Sequence, residues 1–283
     1  MSYPISSNKF DNPLLKELLQ ELTLYFDSIG TQFYIIGATA RDIIFSAIHD
    51  QEPRRKTFDL DIAIAIPNWD DFEKIAAALC NLENFTKSPK QKQRFHYKGI
   101  YELDIVPFGE IAKEDQNIYW PPEEDHAMSV KGFSEVAKNT ITLNVDEEFT
   151  VQVASLPGIF ILKLIAWKDR HYKTSKDADD ISFILDTYLG INEDNLEEKN
   201  YDIYEDDNYD TYNAGATLIG RDLKKLFTGQ PDIKNEALAI IERELETAEQ
   251  SILISQIMKS NIILNYDQIY RALLSIVTEL KKE

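Results

Sequence analysis

The chain has 283 residues, an ordinary apolar content and one cysteine, and 30 basic residues against 49 acidic ones give it a formal charge of −19. A balance this acidic excludes a sequence-independent grip on nucleic acid through overall charge, because such a grip needs Lys and Arg to neutralise phosphates; a local basic groove stays open. Cys80 alone excludes a disulfide framework or a thiolate zinc site within one chain.

The length is enough to bury a sizeable core in one large domain or two modest ones. The start, MSYPISSNKF, lacks a basic stretch followed by an apolar run, and no stretch approaches the ~18 apolar residues that span a bilayer. A soluble cytoplasmic protein without membrane association is expected.

Taken in order, Leu14, Leu15, Leu18, Leu19, Leu22 and Leu24 recur at helical spacing across residues 12–28, with Asp11 or Asn12 as cap and Pro13 in the first turn. FYIIG is a short apolar strand that ends at Gly37 and leads straight into ATARDIIFSAIH, again helical. The loop QEPRRKT precedes TFDLDIAIAI, whose strict alternation predicts a half-buried strand. Pro67 and Asn68 open a helix reaching residue 82. HYKGIYELDIVPF predicts a strand pair or one long strand, with Gly99 as turn or bulge. Residues 111–154 read as loop and short strands, with ITLNVDEEFTVQVA as a hairpin.

From Ser155 the character turns helical through five segments. The expectation is an α+β fold, a small mixed β-sheet with flanking helices over residues 1–154 and a helical domain over 155–283. Nine acids against one lysine between residues 191 and 210 predict a solvated acidic loop over 191–214 that interrupts the helices. The other reading of that loop is a surface that repels wrong partners or docks a basic one. The echo between GATARD and GATLIGRD is too short for a repeat.

The opening strand poses the chemical question. Asp59 and Asp61 share a face with Ala63 and Ala65, while Phe58, Leu60, Ile62, Ile64 and Ile66 share the other. Two adjacent carboxylates repel unless a cation sits between them, and Mg²⁺ suits that place because it takes carboxylate oxygens and is completed by water and phosphate. The bland alternative is a strand surface facing solvent. Context favours the ion. The FYIIG strand breaks at Gly37 into a helix, a junction whose free N–H groups suit phosphate, and Thr39 adds a hydroxyl. Downstream, YELDIVPF carries a third acid, Asp104, with Glu102 on the same face as a competitor. Three acids from two strands make two-metal phosphoryl chemistry possible.

These blocks resemble the nucleotidyltransferase fold of the polymerase β superfamily. IGATARD is similar to the head motif of the transfer-RNA nucleotidyltransferase and poly(A) polymerase class, with Gly37, Arg41 and Asp42 matching and Ala38 standing where that class has a second glycine. FDLDIAI resembles the metal-binding strand and YELDIVPF the strand of the third carboxylate. LKLIAWKDRHYKTSKDADDISFIL is similar to the helical signature of AbiEii-type nucleotidyltransferases at Lys163, Arg170, Lys176, Asp177, Asp180 and Ile181. Past about residue 190 no motif is matched.

The resemblance implies NTP-dependent transfer of a nucleoside monophosphate, ATP among the candidate donors. Mg²⁺ (or Mn²⁺) would sit on Asp59, Asp61 and Asp104, and phosphate on Gly37, Ala38, Thr39, Lys163 and Arg170. Asp177 and Asp180 would line the active-site wall. It also implies a toxin-type role with a cognate antitoxin and an RNA acceptor such as tRNA.

The residues themselves leave alternatives. Lys163 lies among Phe160, Ile161, Leu162, Leu164 and Ile165, so it is a buried lysine that needs an anion, or else one that snorkels. Asp177 and Asp180 could simply cap a helix. Arg41 and Asp42 read as a structural pair. His96, His126 and His171 have no ligand spacing and are not assigned. RRK at 54–56 with KSPKQKQR at 87–94 could form a basic rim that offsets the acidity. A small-molecule hydroxyl is the other acceptor class. A non-catalytic relative that binds nucleotide or a partner, and a D-x-D glycosyltransferase, are the competing readings.

Overall fold

The computed structural model describes residues 2–10, 12–51, 59–124, 127–192, 200–205 and 209–282. The strands in chain order are β1 (Ser2–Ile5), β2 (Phe33–Ile36), β3 (Asp59–Ala65), β4 (Phe85–Lys87), β5 (Arg94–Tyr97), β6 (Tyr101–Phe108), β7 (Asn117–Tyr119), β8 (Ala127–Ser129), β9 (Thr140–Val145) and β10 (Phe149–Ala154). Eight of them form one mixed sheet in the order β1-β9-β10-β2-β3-β6-β5-β4, and β7 pairs with β8 in a separate ribbon.

Two edge strands of this sheet are not among the elements the sequence predicts: β4, which pairs with β5, and β1, which pairs in parallel with β9. SYPI is too short to show alternation, and its Pro4 is tolerated because an edge strand need not donate every N–H. Gly99 has φ +67 and turns the chain between β5 and β6, so HYKGIYELDIVPF is a hairpin. ITLNVDEEFTVQVA is likewise the β9–β10 hairpin.

Among the described residues, four α-helices belong to the same part of the chain: α1 (Leu14–Ser28), α2 (Gly37–Ile43), α3 (Trp69–Cys80) and the short α4 (Phe133–Ala137). α3 starts on a polar cap, the Asn68 side chain accepting the Asp71 N–H at 2.9 Å, whereas Pro13 is the N-cap residue of α1 and the Asn12 side chain, one residue earlier, accepts the Leu14 N–H at 3.0 Å. α1 buries Leu15, Leu18, Leu19, Leu22 and Phe26. Leu24, counted above in the apolar stripe, is 67% exposed because it falls on the opposite face.

The chain divides into two compact units, Met1–Ile159 and Phe160–Glu283, and the boundary falls inside helix α5 (Leu156–Arg170). The second unit continues with α6 (Lys176–Ile191), α7 (Thr211–Leu226), α8 (Pro231–Glu246), α9 (Ile252–Ser260) and α10 (Tyr266–Lys281). Helix α7 begins at Thr211, so the acidic loop ends before residue 214. Residues 193–199 and 206–208 lie outside the described residues, but Tyr201–Glu205 forms a 3₁₀ turn and Asp210 caps α7 through the Asn213 N–H at 2.8 Å.

GATLIGRD has a packing explanation. A Cβ on Gly215 would lie 2.6 Å from the Leu185 carbonyl oxygen of α6, and one on Gly220 would lie 3.0 Å from Glu279 Cβ of α10. The two glycines let α7 approach both neighbours closely. Among the described residues no helix is long and apolar enough to cross a membrane.

Candidate active site

The register of the central strands gathers the acids. β3 and β6 run parallel, with Asp59 beside Glu102 and Asp61 beside Asp104. β5 runs antiparallel to β6 and sets Arg94 beside Asp104 and His96 beside Glu102. Side chains at paired positions share a face, so among the described residues four carboxylates from two strands stand together with the Arg94 guanidinium. On the reverse face Leu60, Ile62, Leu103, Ile105 and Phe95 are fully buried. That packing fixes which way the acids point, since a one-residue slip would turn every side chain over. Ala63 is also fully buried, so the acidic face is open at Asp59 and Asp61 and already covered two residues on.

The bend at Gly37 closes onto this face. β2 is antiparallel to β3, and Ile36 pairs with Asp61. Gly37 then takes φ +72, and a Cβ there would collide with the Asp61 carboxylate. Only glycine meets both conditions, the left-handed backbone and the close approach. Thr39 is buried, and its hydroxyl donates to the Asp59 carbonyl at 2.5 Å, which ties the first turn of α2 to β3. The hydroxyl expected to meet phosphate thus has a structural partner. Arg41 and Asp42 are both buried and paired, Nε to Oδ1 at 2.8 Å, as a buried guanidinium requires.

Asp104 is gripped from the side. Arg94 Nε and Nη2 reach Asp104 Oδ1 and Oδ2 at 2.7 and 3.0 Å, and Arg94 Nη1 donates to Glu102 Oε2. The hydrogen bonds it donates to Asp104 hold the Arg94 guanidinium above its ordinary pKa despite partial burial, and the charges of Asp104, Glu102 and Asp59 add to the effect. Among the described residues no three His, Cys, Asp or Glu side chains converge on a single metal position. Asp59 and Asp61 do supply two hard oxygen donors beside a bend without a side chain. That donor set fits Mg²⁺, which commonly binds one or two carboxylates and completes its shell with phosphate and water.

The lysine-rich run at 87–94 is largely engaged within the protein. Lys87 Nζ sits 5.0 Å from the Phe72 ring centre and 4.9 Å from that of Phe95, and burial lowers its pKa. Lys92 donates to the Pro121 carbonyl at 2.6 Å and to Glu123, while Arg94 is on Asp104 and Glu102. Lys90 is exposed. The other half of the expected basic rim, residues 54–56, lies outside the described residues, as does His126.

The helical unit holds the second group of expected site residues. Lys163 on α5 reaches Asp180 at 2.7 Å and Asp177 at 3.4 Å on α6, and Arg170 takes both Asp177 oxygens at 2.7 Å. Asp177 and Asp180 are essentially inaccessible. Burial pushes the Asp177 carboxyl up, but the Arg170 hydrogen bonds and the charges of Lys163 and Arg170 outweigh it, and its pKa ends below the ordinary value. The anion that a buried Lys163 requires is therefore present within this unit. His171 stacks on Trp167.

Arg94, which sequence reasoning places only in a basic rim over 87–94, is the residue whose pairing with Asp104 it missed. Its signal was available: a three-residue turn at Lys98–Ile100 places Tyr97 opposite Tyr101, and counting back sets Arg94 against Asp104.

Two solved structures are similar to this chain. The solution structure of the antibiotic-resistance factor ANT(2'')-Ia is 13% identical, with 67% of this chain and 90% of that chain covered and a TM-score of 0.34. The crystal structure of ANT(2'')-Ia in complex with adenylyl-2''-tobramycin is 12% identical, with 64% and 91% covered and a TM-score of 0.35. No curated protein matches the sequence. A family model described as nucleotidyl transferase AbiEii toxin, type IV toxin–antitoxin system, matches residues 17–260, including the stretch past residue 190 where no motif is visible. Matched over far more than half its length, with the aspartate strand and the Gly37 bend inside the match, the chain belongs to the AbiEii nucleotidyl transferase toxin family.

Proposed function

We propose that the protein transfers a nucleoside monophosphate from an NTP to a hydroxyl, with Asp59 and Asp61 at the centre of the reaction. The observation that carries this reading is the Gly37 bend pressed against Asp61, with Asp59 on the same face. The bend brings main-chain N–H groups and paired carboxylates into one place, which is what a triphosphate and its counter-ion need.

Asp59 and Asp61 would hold Mg²⁺ or Mn²⁺, which when bound neutralises the triphosphate. Gly37, Ala38 and Thr39 would cradle phosphate through their main-chain N–H groups, and the Thr39 hydroxyl keeps that turn in register with β3. Asp104, once released by Arg94, would join the metal shell or take the acceptor proton as its oxygen attacks the α-phosphorus and pyrophosphate leaves. Lys163 and Arg170 enter as phosphate contacts, and Asp177 and Asp180 as active-site wall, on the family resemblance. In the structure these four serve one another.

The family favours an RNA acceptor such as tRNA and a cognate antitoxin; the charge of −19 pulls toward a small-molecule hydroxyl. Incubation with each α-labelled NTP and Mg²⁺, in parallel with total tRNA and with a panel of small polyols and aminoglycosides, separates the acceptors by where label appears. A second reading, nucleotide binding without transfer, is favoured by one observation, the Arg94 grip on Asp104. Nucleotide bound with no label on any acceptor would select it.

A further inference from the structure

We propose that Arg94 is a place-holding cation. Its guanidinium keeps the acidic face assembled and withholds Asp104 until a divalent ion and a triphosphate together take that carboxylate over and release the arginine. The inference rests on the reading of Asp59 and Asp61 as the metal-holding pair.

The geometry points to competition for the same lone pairs. Two Arg94 nitrogens occupy both Asp104 oxygens at 2.7 and 3.0 Å, and the third is on Glu102. A planar bidentate pair of this kind is among the stronger side-chain interactions and leaves the carboxylate poorly placed to coordinate an ion. Asp104 nevertheless stands in register beside Asp61 on the neighbouring parallel strand.

Charge gives the arrangement a purpose. Glu102 and Asp104 are neighbours on one strand face with Asp59 beside them, and the Arg94 guanidinium offsets their mutual repulsion while opposing an incoming cation. A triphosphate changes the balance, because it brings negative charge for Arg94 to meet when Asp104 is taken from it. Metal and nucleotide should therefore bind together, with Arg94 as a positioning residue.

The test is Mn²⁺ titration of the full chain, followed by the electron paramagnetic resonance of free Mn²⁺, with and without a non-hydrolysable NTP analogue. In wild type the analogue should tighten Mn²⁺ binding strongly. Arg94→Gln should bind Mn²⁺ about tenfold tighter without nucleotide, since one opposing charge has gone, and should lose most of the nucleotide effect. Arg94→Lys keeps the charge without the bidentate grip and should fall between; if the glutamine variant does not fold, the lysine variant decides alone. Arg94 variants that match wild type, alongside an Asp61→Asn variant that binds no Mn²⁺, would overturn the place-holder and leave the aspartate pair standing. No Mn²⁺ binding by any variant, with or without analogue, would overturn both.

Discussion

Replacing Gly37 by alanine adds one methyl group at the point where the bend meets Asp61. The backbone at φ +72 costs an L-residue about 1–2 kcal/mol relative to glycine. The new Cβ would also overlap the Asp61 carboxylate, which must leave its rotamer or drive the bend away, at a further cost of about 0.5–1.5 kcal/mol. Together these predict a loss of roughly 1.5–3.5 kcal/mol, or about 3–14 °C in Tm for a chain of this size. Urea unfolding followed by tryptophan fluorescence measures the first quantity, and label transfer from NTP measures the consequence for the site. Activity should fall much further than stability, because the carboxylate displaced is one of the central pair. An alanine variant with wild-type stability and transfer would refute the claim that the bend is held against Asp61.

The other predictions concern the helical unit. Asp177→Ala should destabilise the protein by about 1–3 kcal/mol in urea unfolding, because Arg170 loses the buried carboxylate it holds, while its own half-exposed guanidinium stays solvated and Lys163 keeps Asp180. The folded-state pKa of Asp177 lies below the ordinary 3.8, so its pairing contributes fully above that value and is lost as pH falls through the folded-state value. Asp177→Asn should accordingly flatten the acid limb of a stability–pH curve without changing its slope near neutrality. Gly215→Ala should cost about 1–3 kcal/mol, since its Cβ meets the Leu185 carbonyl and backbone cannot step aside. Gly190→Ala, at a helical position with nothing within 4 Å, should instead stabilise by up to about 1 kcal/mol. Thermal melts of the two alanine variants should move in opposite directions.

How far the site was legible depended on whether its signal was local. The alternation of TFDLDIAIAI was enough to put Asp59 and Asp61 on one face, because strand periodicity is a property of the chain itself. The Asn68 cap and the β9–β10 hairpin were readable for the same reason, while the β5–β6 hairpin was one of two readings of its segment. Strand β1 was not, since four residues with a proline acquire a partner only when β9 is in place. Arg94 was a problem of register: its neighbours in sequence, Gln93 and Phe95, say nothing of Asp104, and only counting across the Gly99 turn pairs them. Lys163 shows the opposite error of emphasis. A lysine among apolar residues was correctly read as needing an anion, but Asp177 and Asp180, fourteen and seventeen residues away, supply it within the same unit.

The central claim is that Asp59 and Asp61 form the catalytic pair, and parallel label-transfer assays on wild type, Asp59→Asn and Asp61→Asn test it most directly, with circular dichroism and Tm confirming that each protein is folded. The account predicts that wild type transfers label in the presence of Mg²⁺ and that each asparagine variant, folded and close to wild type in Tm, transfers at least about a hundredfold less. Transfer at wild-type rate by a folded variant of either aspartate would contradict it.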